Sequence, residues 1–256
     1  MGHADLHIHA TAGADTLGRF LDYVERGAYL PVHLTADDES LLRLLDYVER
    51  ETNLDVIAIT GHNDIASSHR ARELARERRY RFEVVAGLEV TTQEGNLLAL
   101  FQERLLPAGL PMARTIELVH DQGGLAIASH PMSWLGGSIG QGNLDRLMAE
   151  GKDATPDGLE VINARISNRG YTERARHLNE KRYKLAEVGG SGAHSLSDIG
   201  MGYTLFYGQT ATDLKKAILE KTTMAGRMRQ RRSDATLGPF GTLARAISHL
   251  WKGRRQ

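Results

Sequence analysis

The chain has 256 residues, with 32 Lys+Arg against 32 Asp+Glu, 41% hydrophobic residues and no cysteine. This composition excludes long disorder and low-complexity architectures. The missing thiols exclude disulfide frameworks, thiolate metal sites and cysteine nucleophiles, so any metal must be held by His, Asp or Glu. The polar N-terminus lacks a basic-then-apolar leader, and no apolar run approaches the ~18 residues of a membrane span; the expectation is a soluble, cytoplasmic protein without a transmembrane segment.

In chain order, β-rich runs are expected at 4–9, 56–60, 83–90, 97–101, 125–129, 158–162 and 186–190, with a further strand at 204–207 outside or beside the main set. Helical patterns fall at 37–51, 67–79, 111–122, 144–150, 172–182 and 212–220. Pro111 suits a helix start, Gly123 and Gly124 stop that helix, and Thr212 or Asp213 is the expected cap of the last one. Apolar strands such as Val56-Ile57-Ala58-Ile59 are what a parallel sheet covered by helices needs. The fold class is therefore α/β, a closed TIM-like barrel in one domain over residues 1–224, with its site at the C-terminal ends of the strands.

Charge is unevenly distributed along the chain. Residues 225–256 hold eight Lys+Arg and one Asp, a net of +7 that leaves −7 on residues 1–224. Leu243, Ala244, Ile247, Leu250 and Trp251 recur at helical spacing among Arg245, Lys252, Arg254 and Arg255, so a basic amphipathic C-terminal helix is expected. It would dock on the body or on a sister subunit in a homo-oligomer. Contact with nucleic acid or an anionic surface is the alternative.

The strongest chemical signal is Asp5-Leu6-His7-Ile8-His9. Residues i and i+2 of a strand project to one side, so His7 and His9 aim two imidazoles at one point. Asp15 follows, and His62, Glu89, His130 and His194 sit at or beyond expected strand ends. Such a set of N and O donors favours Zn, Mn or Fe. Glu89 can bridge two cations, and paired metals generate a hydroxide near neutral pH while clamping the oxygens of a displaced phosphoryl group. Hydrolysis is the natural reaction class.

Six ordered motifs carry a family resemblance: Asp5-Leu6-His7-Ile8-His9 with Asp15, Ile59-Thr60-Gly61-His62-Asn63, Gly87-Leu88-Glu89, Ser129-His130-Pro131, the segment 158–163, and Gly190-Ser191-Gly192-Ala193-His194-Ser195. Over about residues 4–220 the sequence resembles the polymerase and histidinol phosphatase (PHP) domain family. The resemblance implies a distorted seven-stranded β/α barrel with up to two or three divalent ions at its mouth, acting as a metal-dependent phosphoesterase. It further implies one site of His7, His9 and Glu89, a second sharing Glu89 with His130, and a third of Asp15, His62 and His194. His194 or His130 would protonate the leaving alcohol, while Arg165 and Arg169 would hold phosphate oxygens.

Three positions depart from the family pattern. Gly61, Asn96 and Gly192 stand where the family usually has an acid, a histidine and an aspartate, which implies an altered metal site of reduced activity. The expected substrate is a phosphomonoester or phosphodiester such as a nucleotide, a sugar phosphate or an oligonucleotide end. Two other readings stay open: a degenerate barrel acting as a binding module through its basic tail, and an amidohydrolase, which also opens a barrel with His-x-His but normally ends on an aspartate ligand.

Overall fold

The computed structural model describes residues 1–10, 36–133, 137–166 and 169–228; the side chains of Lys152 and Arg169 lie outside the description, as do Asp15 and the segment from 229 onward. Nine strands, β1 (Gly2–Ile8), β2 (Val56–Ile59), β3 (Glu83–Thr91), β4 (Asn96–Leu100), β5 (Leu125–Ala128), β6 (Gly158–Asn163), β7 (Ala186–Gly190), β8 (Gly202–Phe206) and β9 (Met224–Arg227), form one sheet in the order β7-β6-β5-β4-β3-β2-β1-β8-β9. Among the described residues six α-helices accompany them: α1 (Asp38–Glu51), α2 (Ala66–Arg78), α3 (Met112–Asp121), α4 (Gly140–Ala149), α5 (Arg169–Leu178) and α6 (Ala211–Leu219). Among the described residues no helix is long and apolar enough to cross a membrane.

The sheet nearly closes. Past β7, Gly192 N–H donates to His7 O at 2.8 Å and His9 N–H donates to Ala193 O at 3.0 Å, making a parallel bridge between Ile8 and Ala193. At this seam a Cβ on Gly190 would lie 2.6 Å from that of His7, so only glycine permits the approach. The expected β/α barrel is present in β1–β7, with one correction to its parallel character. β4 runs antiparallel to both β3 and β5, because the short 92–95 connection makes a hairpin where a crossover helix would be needed for a parallel pair. The 204–207 run belongs to the sheet, as β8 antiparallel to β1. β9, not foreseen, pairs antiparallel with β8 and carries the sheet to Arg227, past the expected boundary at 224.

Local chemistry sets the helix ends. Asp37 caps α1 by accepting Ser40 N–H at 2.8 Å, and Leu41, Leu44, Leu45 and Val48 form its buried stripe. Thr210, two residues before the expected cap, closes a capping box with Asp213 at α6. The pattern at 172–182 begins earlier, at Arg169, and ends in a π-turn over Asn179–Tyr183.

Side-chain alternation sorts the strands into an interior and an outer face. Ala4, Leu6, Val56, Ala58, Val85, Leu98, Leu100, Ile127 and Val188 fill the interior, and Leu214, Ala217 and Ile218 of α6 pack against that cluster. Ile57, Ile59 and Val84 face α1 and α2 on the outside, whereas Leu97, Ala99, Ala126 and Ala128 belong to the cluster that includes α3 and α4. Burying each large aliphatic side chain contributes roughly 1.5–3 kcal/mol. The apolar interior stops one layer below the C-terminal strand ends, where the polar residues begin.

Candidate metal centre

Two irregularities in strand register build the polar layer. Leu6 belongs to the interior cluster while Ile8 packs outside with α1, which strict alternation forbids. The register shift between Asp5 and Ile8 resolves the conflict, leaving Leu6, His7 and His9 directed inward. On β6, a shift between Glu160 and Ile162 brings Glu160 and Asn163, three residues apart, into mutual contact, with Asn163 Nδ2 3.2 Å from Glu160 Oε1.

Glu89, 1% exposed, is the hub. Its Oε2 lies 3.1 Å from His62 Nδ1, 3.5 Å from His7 Nε2 and 3.7 Å from His9 Nε2. Its Oε1 lies 3.1 Å from each of His130 Nε2, Ser129 Oγ and Asn96 Nδ2. The His194 ring stacks on His9 at 4.0 Å, and His62 stands 4.5 Å from His9 on another side. The structure thus brings together His7, His9, His62, Glu89, His130 and His194. Asp15 lies outside the described residues.

The grouping differs from the one the resemblance implies. His7, His9 and Glu89 form one set whose donor atoms lie within 4.8 Å of one another, as implied, but His9 also joins His62 and His194 in a second such set. His9 is therefore common to both donor sets.

Arg165 is partly buried, 3.9 Å from Asp198, and its charge acts on His194. Arg169 opens α5.

Sequence reasoning missed Glu160. Fully buried, it lies 2.9 Å from His7 Nδ1 through Oε1 and accepts His130 N–H at 2.7 Å through Oε2. A carboxylate on Nδ1 leaves His7 Nε2, the nitrogen facing Glu89, as its lone-pair donor, and such outer partners tune ligand basicity. The signal was a lone acid in the apolar strand Gly-Leu-Glu-Val-Ile-Asn. Asp5 has a different role: its carboxylate accepts Ser191 N–H at 2.9 Å and Gly200 N–H at 2.8 Å, pinning both ends of the loop that carries His194.

The three departures from the family pattern have structural accounts. Gly192 adopts φ +63°, and a Cβ there would sit 2.5 Å from Asn163 Oδ1, so the Asn163 amide fills the space a side chain at 192 would enter. Asn96 donates to Glu89. Beside Gly61 a Cβ would lie 3.6 Å from Oδ2 of the buried Asp64, whose carboxylate is engaged by Ala66 N–H and by Ser67.

Electrostatics follow from burial and from this crowd of imidazoles. Burial opposes a charge on His7, yet Glu160 and Glu89 outweigh it and hold its pKa well above the usual range. Burial, reinforced by His194 and His62, holds His9 well below it. Burial, Arg165 and His62 push His194 down to about 3. For Glu89 burial opposes ionisation, but His7 and His62 prevail and keep it ionised. Neutral His9 and His194 beside anionic Glu89 are in the protonation states a divalent cation requires, and His130 Nδ1 is buried with no hydrogen-bond partner. This donor set fits a borderline divalent ion.

Fold and site together define an α/β barrel whose mouth gathers two donor sets that could hold a divalent metal ion. The PHP-associated family model matches residues 173–223, from within α5 past β7 and His194 to the end of the α6 segment. An uncharacterised protein of Methanocaldococcus jannaschii is 40% identical over 111 residues, covering 43% of this chain and 59% of that protein. Among solved structures, a two-domain protein from Bacteroides vulgatus containing a predicted PHP-like metal-dependent phosphoesterase superimposes with TM-score 0.60 at 17% identity, over 88% of this chain and 64% of that one. An amidohydrolase from Chromobacterium violaceum, solved with sulfate and no metal, gives TM-score 0.51 at 14% identity over 88% of this chain and 97% of that one. The chain thus spans less than two thirds of the first two relatives. These matches make the chain similar to the PHP domain family in its 173–223 segment and in its fold.

Proposed function

We propose that the protein is a metal-dependent phosphoesterase acting on a phosphomonoester or phosphodiester, such as a nucleotide, a sugar phosphate or an oligonucleotide end. The observation that carries this reading is the convergence of His7, His9, His62 and His130 on the buried Glu89 carboxylate. His7, His9 and Glu89 would hold one ion, and His9, His62 and His194 the other, with Asp15 as a further ligand. Zn, Mn or Fe bound there supplies Lewis-acid polarisation of the phosphoryl oxygen and lowers the pKa of water.

The chain's own residues do the rest. Glu160 orients His7 and the backbone of His130, and Asp5 fixes the loop bearing His194. His130, or His194 where it does not hold the ion, would be the proton-transfer group to the leaving oxygen. Burial, with the charges of Arg165 and His62, holds the His194 pKa down at about 3, so its ring is neutral in the free site. Arg165, and Arg169 at the start of α5, would bind the phosphoryl oxygens.

The amidohydrolase reading draws support from the Chromobacterium violaceum likeness and is separated by substrate. Purified protein would be assayed for metal by elemental analysis, and for turnover of p-nitrophenyl phosphate, bis(p-nitrophenyl) phosphate and a cyclic amide. Retained metal with phosphoester cleavage that Glu89→Gln abolishes is expected. Cleavage of the amide alone would transfer the protein to the amidohydrolases. Absence of both metal and turnover would leave a binding module.

A further inference from the structure

A cleft of about 740 Å³ opens at the other end of the barrel, between α2, the start of β3, the end of β4 and the start of α6. That volume lies inside the usual ~300–1,000 Å³ range of small-ligand sites. Its lining residue Glu83 is six positions before Glu89 on β3, so at ~3.3 Å per residue the cleft is about 20 Å from the metal centre.

Its walls are cationic. Arg72 in the middle of α2 and Arg76 in its last turn lie four residues apart on one face, and Arg79, the left-handed residue that ends the helix, joins them in the lining. Lys215 of α6 stands opposite, its Nζ donating to Gly123 O at 2.6 Å and lying 5.0 Å over the Phe101 ring. Phe101 holds that ring in place from a left-handed backbone of φ 59°, an uncommon conformation for an aromatic residue.

The carboxylates in the lining are already engaged. Glu103 takes a two-pronged contact from Arg72, at 2.6 and 2.9 Å, and Glu83 accepts Ala211 N–H at 2.7 Å. Arg76 and Arg79 are exposed, and among the described residues no ion pair engages either of them.

We propose that this cleft binds a polyphosphate chain, free or carried by a nucleoside. Arg76 and Arg79, without carboxylate partners among the described residues, and Lys215 from α6 give the cleft more cationic groups than one phosphate would engage, and guanidinium groups are suited to paired phosphate oxygens. The site is independent of the phosphoesterase reading, since it shares no residue with the metal centre.

Sodium tripolyphosphate and ATP would each be titrated calorimetrically into the full chain, the Arg76→Glu/Arg79→Glu double variant and the Glu89→Gln variant. Circular dichroism would confirm that each is folded, which is expected because both arginines are exposed. The expected result is saturable binding that the double charge reversal weakens at least ~10-fold and that Glu89→Gln leaves unchanged. Equal affinity for the two ligands would assign recognition to the phosphate chain alone; tighter ATP binding would add the nucleoside. No binding, or binding that survives the charge reversal, would overturn the proposal, the latter by moving the site to the metal centre or the basic tail.

Discussion

Replacing Gly192 by aspartate would supply the carboxylate usual in the family, and by sequence alone the change, combined with Asn96→His, is expected to raise metal content and activity. For the single change the structure adds a cost in stability. At φ +63° a non-glycine residue costs roughly 1–2 kcal/mol. Its Cβ would also lie 2.5 Å from Asn163 Oδ1 and 2.7 Å from Nδ2, so Asn163 must leave its place beside Glu160, where its amide now lies 3.2 and 3.3 Å from the two carboxylate oxygens. Losing a hydrogen bond to a buried charge costs ~1.5–3 kcal/mol. Together these give a destabilisation of about 3–5 kcal/mol, a fall in Tm on the order of 6–20 °C for a chain of this size. Thermal melts in chelator would compare the natural protein with Gly192→Ala, Gly192→Asp and Asn163→Ala/Gly192→Asp. The alanine should carry most of the loss, and removing Asn163 should restore part of it. If Gly192→Asp melted within about 1 °C of the natural protein, the assignment of that space to Asn163 would be wrong.

Glu160→Gln should weaken metal binding ~10–100-fold while leaving the ligands themselves intact, measured by competition with a chromogenic chelator; unchanged affinity would deny Glu160 its orienting role. His9→Ala should remove metal from both donor sets, whereas His194→Ala should spare the His7, His9 and Glu89 set, a difference that elemental analysis of the two variants reads directly. Burial raises the Asp5 carboxyl to about 6 despite its hydrogen bonds from Gly200 and Ser191. Its folded pKa exceeds its unfolded one, so the native state binds the extra proton between about pH 4 and 6, and stability from this group falls as pH rises through that window, by about 3 kcal/mol. Urea titrations across pH 4–7 should show that downward slope in the natural protein relative to Asp5→Asn, and equal slopes would refute it.

The sequence by itself determined the order and type of most elements, because apolar runs such as Val56–Ile59 and capped stripes such as Leu41, Leu44, Leu45 and Val48 encode their own periodicity. It also placed six ligand-type side chains, since His7, His9, His62, Glu89, His130 and His194 stand at or just past strand ends, where a barrel concentrates its chemistry. The antiparallel course of β4 departs from the expected parallel barrel, although its signal is in the sequence, since the connection between β3 and β4 is too short for a parallel crossover. The role of Glu160 was not legible: alternation gives the face of a residue only while register holds, and the shifts on β1 and β6 are consequences of pairing across the sheet. The same is true of Gly192. In the sequence it is a missing aspartate, and only the packed barrel shows that Asn163, from a neighbouring strand, already fills the volume that an aspartate would need.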